Sequence, residues 1–267
     1  MSTRRLTPRQ RARVARALQY ALLVAVVLVF AAIADWDRIA EAFFDTEVAG
    51  ELFPDVITTA LKNTILYTLC AFAFGLVLGL LIALMRLSPV AVYRALATVY
   101  VEFFRGVPAL LVLIAFGYGI PIALNTEVPG GVIGTITVAL GLVAAAYMAE
   151  TIRAGIQAVP KGQTEAARSL GMSQSRAMLS IVIPQAFRII LPPLTNELIL
   201  LTKDSSLVYL LGLTLPDREL AKFGRDALNE YVSMTPILVA GLCYLIITVP
   251  LGLLVRRLEA RQARARG

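Results

Sequence analysis

The sequence predicts an all-α integral membrane protein, a single helical bundle of about six spans, and three observations carry that expectation. Hydrophobic residues make up 58% of the 267, and mean hydropathy is +0.76, well above the roughly 45–50% apolar content of a soluble domain. Six apolar runs, 17–34, 65–85, 108–124, 132–152, 189–213 and 236–255, approach the roughly 20 residues a helix needs to cross a bilayer. The residue-by-residue alternation of a membrane barrel is absent. The third observation is charge: 19 of the 25 Lys and Arg fall in alternate connections, before the first run, from Arg86 to Arg105, from Arg153 to Arg188, and from Arg256 to Arg266. The remaining connections hold seven acids from Asp35 to Asp55, then Glu127, then five from Asp204 to Glu230. This positive-inside pattern predicts cytoplasmic N- and C-termini. The net charge of +7 therefore reads as membrane topology, and with no basic patch interleaved with aromatics no nucleic-acid partner is expected.

The first run follows Arg4, Arg5, Arg9, Arg11, Arg13 and Arg16 and ends in Ala32-Ile33-Ala34, so it reads as a signal peptide or as a retained helix. Its length exceeds the roughly 7–15 residues of a signal-peptide core, and a retained helix within 1–34 is expected. The acidic stretch 35–55, with Trp36, Phe43, Phe44 and Phe53, suits a helix at the outer interface or a plain linker. In the second run Gly75 and Gly79 form a small-xxx-small pair that lets another helix approach closely. Cys70 and Cys243, the only cysteines, sit in apolar helices as space fillers, with neither a metal site nor a disulfide implied.

The stretch 89–105 reads as a cytoplasmic connection. Glu102 and Arg105 are spaced to pair on one helix face, and Gly106 and Pro108 break or kink the chain where it enters the bilayer. A hinge and a plain interfacial ion pair both fit. Gly117, Gly119 and Pro121 loosen the third run, and Glu150 and Arg153 repeat the one-turn acid/base spacing at the inner end of the fourth.

A polar interruption, PKGQTEAARSLGMSQSRAMLSIVIP at 160–184, carries helix signals of its own. Thr164 reads as an N-cap with Glu165 near the positive helix end, Gly171 as a left-handed stop, and Ser173 as the cap of a second short helix running to Pro184. The prediction is a helix at about 163–170, a turn and a helix, exposed in the cytoplasm to a partner.

In the fifth run, at ~1.5 Å per residue from Arg188, Glu197 lies roughly 14 Å and Lys203 roughly 22 Å into a core of about 30 Å. Asn196 and Lys203 are seven apart, as are Glu197 and Asp204, so each pair shares a helix side. Ionisable residues at such depth face the bundle interior or a water-filled cavity; the other reading is that Lys203 and Asp204 mark the outer helix end. Ser205 and Ser206 suit a bent stretch, and the outer segment 216–231 reads as an amphipathic gate or docking surface with Glu219, Leu220 and Phe223. There is no histidine, no phosphate-binding loop and no dinucleotide turn, so the chain reads as a non-catalytic subunit whose energy comes from a partner.

The order Glu165, Ala166, Ala167, three residues, Gly171, nine residues, Ile181, one residue, Ile183, Pro184 resembles the EAA loop of the membrane subunits of bacterial ABC importers, which usually have Leu where this chain has Ile183. Three further groups resemble signatures of the polar amino-acid permeases in that family: Tyr100, Glu102, Arg105, Gly106 and Pro108; Tyr147, Glu150 and Arg153; and Lys203, Asp204, Ser205 and Ser206. The resemblance covers most of 58–259 and implies a type I ABC importer permease fold, a five-span core with the N-terminal helix added.

It also implies a bacterial cytoplasmic membrane protein without a cofactor of its own. Its expected partners are the lipid bilayer, a cytoplasmic ATPase dimer carrying ATP and Mg, a second permease subunit of the same or a homologous chain, and an extracytoplasmic solute-binding protein, for which 35–55 is either a plain linker, the favoured reading, or part of a dock. Glu165, Ala166, Ala167, Gly171, Ile181 and Pro184 would couple to the ATPase. Asn196, Glu197, Lys203, Asp204 and Ser205 would line the substrate pathway, and Glu102, Arg105, Gly106, Pro108, Glu150 and Arg153 would form hinges and supports. The implied substrate is a polar amino acid, with glutamate or glutamine favoured. The competing class is an ion-coupled carrier or channel using Glu197, Lys203 and Asp204, for which six spans are few and no inverted repeat is evident.

Overall fold

The computed structural model describes residues 7–266, and every regular element among them is helical. The helices are α1 (Pro8–Ile33), α2 (Trp36–Phe43), α3 (Thr46–Glu51), α4 (Lys62–Leu87), α5 (Ala91–Gly106), α6 (Ala109–Ile114), α7 (Ile120–Leu124), α8 (Gly131–Gln157), α9 (Lys161–Ser169), α10 (Gln174–Ala177), α11 (Ile183–Asp204), α12 (Leu220–Tyr231) and α13 (Thr235–Arg266). Wide π turns at Val56–Leu61, Ala115–Gly119 and Met178–Val182 lead into α4, α7 and α11 without a break, and a 3-10 stretch, Ser205–Leu211, continues α11. Five helical runs are long and apolar enough to cross a membrane, or six if the bent pair α5 and α6–α7 forms one span.

α1 starts well before the apolar run because Thr7 and Gln10 form a reciprocal capping box. Arg4 and Arg5 lie outside the described residues. No residue of α1 is buried, whereas α4 and α8 pack intimately along the line of Gly75 and Gly79, as the small-residue spacing predicts. A Cβ on Gly79 would stand 2.9 Å from the Ala145 carbonyl oxygen and 3.0 Å from Met148 Cβ, so the helices meet backbone to side chain with no room to spare.

The 89–105 segment is more than a connection. α5 buries Ala97 and Val101 against α4 and α8, and the Tyr100 hydroxyl donates to the Leu142 carbonyl at 2.8 Å. The chain then turns by 101° into α6–α7. The physical cause is local: Val107, held extended at φ −96°, ψ 131°, precedes Pro108, which disfavours helical backbone before it and lacks an N–H to continue one.

Pro192 and Pro193 lie inside α11. The missing N–H of Pro192 frees the Arg188 carbonyl four residues back, and the Gln262 side-chain amide of α13 donates to it. At the N-terminal end of α4, 216–220 is clipped to that helix: Asn63 donates to the carbonyls of Pro216 and Arg218 at 2.7 and 3.0 Å, Tyr67 to that of Asp217 at 2.9 Å, and the Leu220 N–H donates to the Thr64 hydroxyl at 3.1 Å. Here the structure corrects the sequence reading, because Glu219, Leu220 and Phe223 form no exposed gate. They are 0%, 0% and 5% exposed, packed with Leu52, Val56, Ala240 and Cys243. Glu219 caps α12, accepting from the N–H groups of Ala221 and Lys222 at 2.6 and 2.7 Å and from the Tyr244 hydroxyl at 3.1 Å. Burial outweighs those donors and pushes its carboxyl up to about 7. The 35–55 segment is likewise anchored, Ala42 accepting from Met234 N–H and Ser233, and Thr235 from Asp45 N–H.

Candidate functional site

Two regions gather the polar residues that the sequence singles out. The first is the helix–turn–helix of α9 and α10. α9 begins at Lys161 after Pro160, which makes no side-chain cap, so Thr164 lies inside the helix instead of capping it. Its C-terminus closes as a Schellman turn: the Gly171 N–H donates to Arg168 O at 2.9 Å and the Met172 N–H to Ala167 O at 3.1 Å, with Gly171 at φ +84°. Ser173 caps α10 by accepting from Arg176 N–H at 3.3 Å, and Arg168 donates to Gln174 across the turn at 2.8 Å.

This rigid knuckle presents its chemistry outward. Glu165, Ala166 and Gly171 are exposed, while Ala167 is buried and seats α9 on the body. Leu170 at the tip is 85% exposed and Leu179 65%. Ile181 is half-buried in the π turn, and Pro184 stands in the first turn of α11. Pro184 thus lies inside a continuous helical course, directly after the π turn Met178–Val182, where the sequence reading has it end the short helix.

The second region is a cavity of about 440 Å³ between the helix break at Gly106–Pro108, the middle of α8 and the C-terminal half of α11. Arg105, Tyr147, Glu197 and Asp204 are its polar walls, and Leu140, Val143 and Leu201 are among its apolar ones. Glu197 and Asp204 share a face, as their spacing predicts. Arg105 does not pair with Glu102, which is exposed; its guanidinium lies 5.5 Å from the Tyr147 ring centroid, in cation–π range. Among the described residues Arg105, Glu197 and Asp204 form no ion pair. Asn196 and Lys203 are exposed and do not line this cavity, and the buried Ser205 hydroxyl donates to Thr202 O at 2.7 Å. The α-helix ends at Asp204 and tightens to 3-10 through the serines, continuing the helical course without a break.

Below the cavity Glu150 accepts from Arg153 on its own helix and from Arg86 on α4, and Arg153 also donates to Gln157 at 2.6 Å. The spacing exposes the Glu150–Arg153 pair in the sequence. Arg86 had no such signal, because its partner lies 64 residues away. Leu170 was equally silent: an isolated leucine at the end of a short helix looks like core until its exposure is seen.

Residues 75–264 match the family model described as binding-protein-dependent transport system inner membrane component. The chain is 40% identical over 202 residues to a probable glutamine ABC transporter permease protein, GlnM, of Bacillus subtilis, covering 74% of this chain and 89% of that one. It is 37% identical over 205 residues to the glutamate/aspartate import permease protein GltK of Escherichia coli O157:H7, covering 75% and 90%. Among solved structures it is similar to an amino acid ABC transporter crystallised with histidines, at 33% identity and a TM-score of 0.73, covering 81% of this chain and 98% of that one.

Proposed function

Because the chain belongs to the family of inner membrane components of binding-protein-dependent transport systems, we propose that it is the membrane-spanning subunit of an ATP-driven importer of polar amino acids. In this reading it sits multi-pass in the bacterial cytoplasmic membrane with both termini inside. The observation that carries the coupling role is the α9–α10 knuckle: a capped turn with an exposed glutamate and an 85% exposed leucine at its tip, in a segment that the positive-inside pattern assigns to the cytoplasm. An exposed apolar tip on a rigid polar support is what a protein groove covers. Glu165 makes the polar contact with a cytoplasmic ATPase dimer, which carries ATP and Mg, and Gly171 fixes the turn.

A second permease chain completes the pathway, and an extracytoplasmic binding protein delivers substrate. The cavity walled by Arg105, Tyr147, Glu197 and Asp204 is the portion of the pathway that this chain supplies. The relatives' names, glutamine and glutamate/aspartate, and the histidine-containing structure support a polar amino acid as cargo.

The test is a reconstituted complex in vesicles, comparing wild type with Glu165→Ala and Gly171→Pro. Proline cannot adopt the positive φ at 171. We expect each variant to assemble and hydrolyse ATP while transporting roughly tenfold less amino acid per ATP, the scale of losing one anchor at an interface. Uptake that persists with the ATPase left out overturns the reading in favour of an ion-coupled carrier.

A further inference from the structure

We propose that the groove between Arg188 on α11 and Arg261 on α13 binds an anionic phospholipid, its phosphate held by the two guanidiniums and the start of an acyl chain laid over Phe187, Leu191 and Leu258. This rests only on the chain spanning a bilayer, and is independent of what the chain carries and what drives it.

The groove lies at the depth of lipid headgroups. It has a volume of about 330 Å³ and is lined by Phe187, Arg188, Leu191, Leu258, Arg261 and Gln262. Its two walls are tied together, because the Gln262 amide donates to the Arg188 carbonyl. Arg188 immediately precedes the apolar run 189–213, so it stands at the edge of the hydrocarbon. The apolar run of α13 ends at Val255, and Arg261 lies six residues on, about 9 Å along the axis. The helices are antiparallel here, since Gln262 meets Arg188 while Ile246 and Thr202 line a common wall farther along. Side chains lean toward the N-terminus of their own helix. Arg188 therefore leans away from the hydrocarbon and Arg261 back toward it, which brings both to the headgroup layer, roughly 5–8 Å thick.

The charge in the groove is of one sign. Among the described residues neither arginine is in an ion pair. No acid occurs from 174 to 196, and beyond Val255 the only one is Glu259. Glu259 is exposed, does not line the groove and, two residues from Arg261, faces the far side of α13. The groove thus offers two planar donor forks to a phosphate and no partner to an ammonium. A headgroup with net negative charge fits that inventory, whereas a zwitterionic one sets its own cation beside two others.

The apolar wall favours a ligand with a tail. Phe187 and Leu191 are one turn apart on one face of α11, and Phe187 is 59% exposed. Leu191, about 5 Å deeper than Arg188, leads into the hydrocarbon. A soluble anion touches the arginines alone, while an acyl chain also covers Phe187 and Leu191.

The test uses the full chain, delipidated in an uncharged detergent and titrated with dioleoylphosphatidylglycerol or dioleoylphosphatidylcholine in mixed micelles. Binding is followed by native mass spectrometry and by the unfolding midpoint. We expect phosphatidylglycerol to bind at roughly tenfold lower concentration than phosphatidylcholine, and Arg188→Gln/Arg261→Gln to weaken it roughly 10- to 30-fold, the scale of two arginines at a charged headgroup. Arg256→Gln/Arg257→Gln removes the same charge from exposed positions outside the groove and should weaken it about threefold at most. Should the groove double variant fail to fold, Arg261→Gln alone decides, with a loss of roughly fivefold expected. Equal affinity for the two lipids overturns the proposal. Equal losses in the two double variants also overturn it, because they show a diffuse attraction to the basic helix end. Displacement of phosphatidylglycerol by equimolar inorganic phosphate assigns the groove to a free anion and overturns the lipid. Uptake is not read in this assay, so each of these outcomes leaves the importer reading where its own test puts it.

Discussion

Replacing Gly79 by alanine tests the closest helix approach described above. The added Cβ would meet the Ala145 carbonyl oxygen at 2.9 Å and the Ala149 nitrogen at 3.2 Å, whereas ordinary van der Waals contact begins at 3.4 Å. These are backbone atoms of α8, so no rotamer change relieves them and the two helices must part. Overpacking of this kind costs about 1–3 kcal/mol, offset by the roughly 0.5–1 kcal/mol that alanine gains over glycine in a helix. The net expectation is a loss of about 1–2 kcal/mol, or a fall of roughly 2–6 °C in the unfolding midpoint for a chain of this size. Gly241 in α13 is the control, because a Cβ there meets nothing within 4 Å: Gly241→Ala should raise the midpoint slightly through the propensity gain alone. The assay is thermal unfolding of both variants in the same detergent. If Gly79→Ala is as stabilising as Gly241→Ala, the α4–α8 interface has slack and the packing argument fails.

Two further predictions concern buried charge. Glu219 is raised from 4.5 to about 7 when folded, so between those values the unfolded chain releases a proton that the folded chain keeps. Stability from this group is therefore full below about 4.5 and is lost as pH rises to about 7, by about 3 kcal/mol in all. Glu219→Gln should flatten the midpoint between about pH 4.5 and about pH 7 relative to wild type, and parallel curves would refute the assignment. At the C-terminal ends of α4 and α8, Glu150→Gln leaves Arg86 and Arg153 facing each other without their shared acid, while Arg86→Gln leaves the Glu150–Arg153 pair whole. The first should cost about 1–3 kcal/mol and the second less; midpoints in the reverse order would show that Glu150 does not join the two helices.

What the sequence made legible were features whose cause is local. Gly171 and Ser173 appear as turn and cap because φ and capping depend on neighbours within a few residues, and the Glu197–Asp204 face follows from helical period. The break at Gly106–Pro108 was legible for the same reason. What stayed hidden depends on distant partners: Arg86 meets Glu150 across 64 positions, and Gln262 answers a carbonyl freed by Pro192 on another helix. The outer segment was misread for a related cause. An amphipathic pattern shows that α12 has an apolar face, but only the fold shows that Leu52, the π turn before α4, and α13 already cover it, burying Glu219 with it.

The unbroken helical course from Gln174 to Leu211, 38 residues long, has a mechanical meaning. At ~1.5 Å per residue it is a shaft of roughly 57 Å with the knuckle at one end and Asp204 near the other. A shaft passes torque along its length, and it yields first where its ladder of hydrogen bonds is thinnest, at the π turn 178–182 and at the paired prolines. Both interruptions lie on the knuckle side of Glu197, so Glu197 and Asp204 share one uninterrupted α-helical segment that fixes their mutual spacing. A load applied at Leu170 would therefore reorient the two carboxylates as a unit instead of pulling them apart.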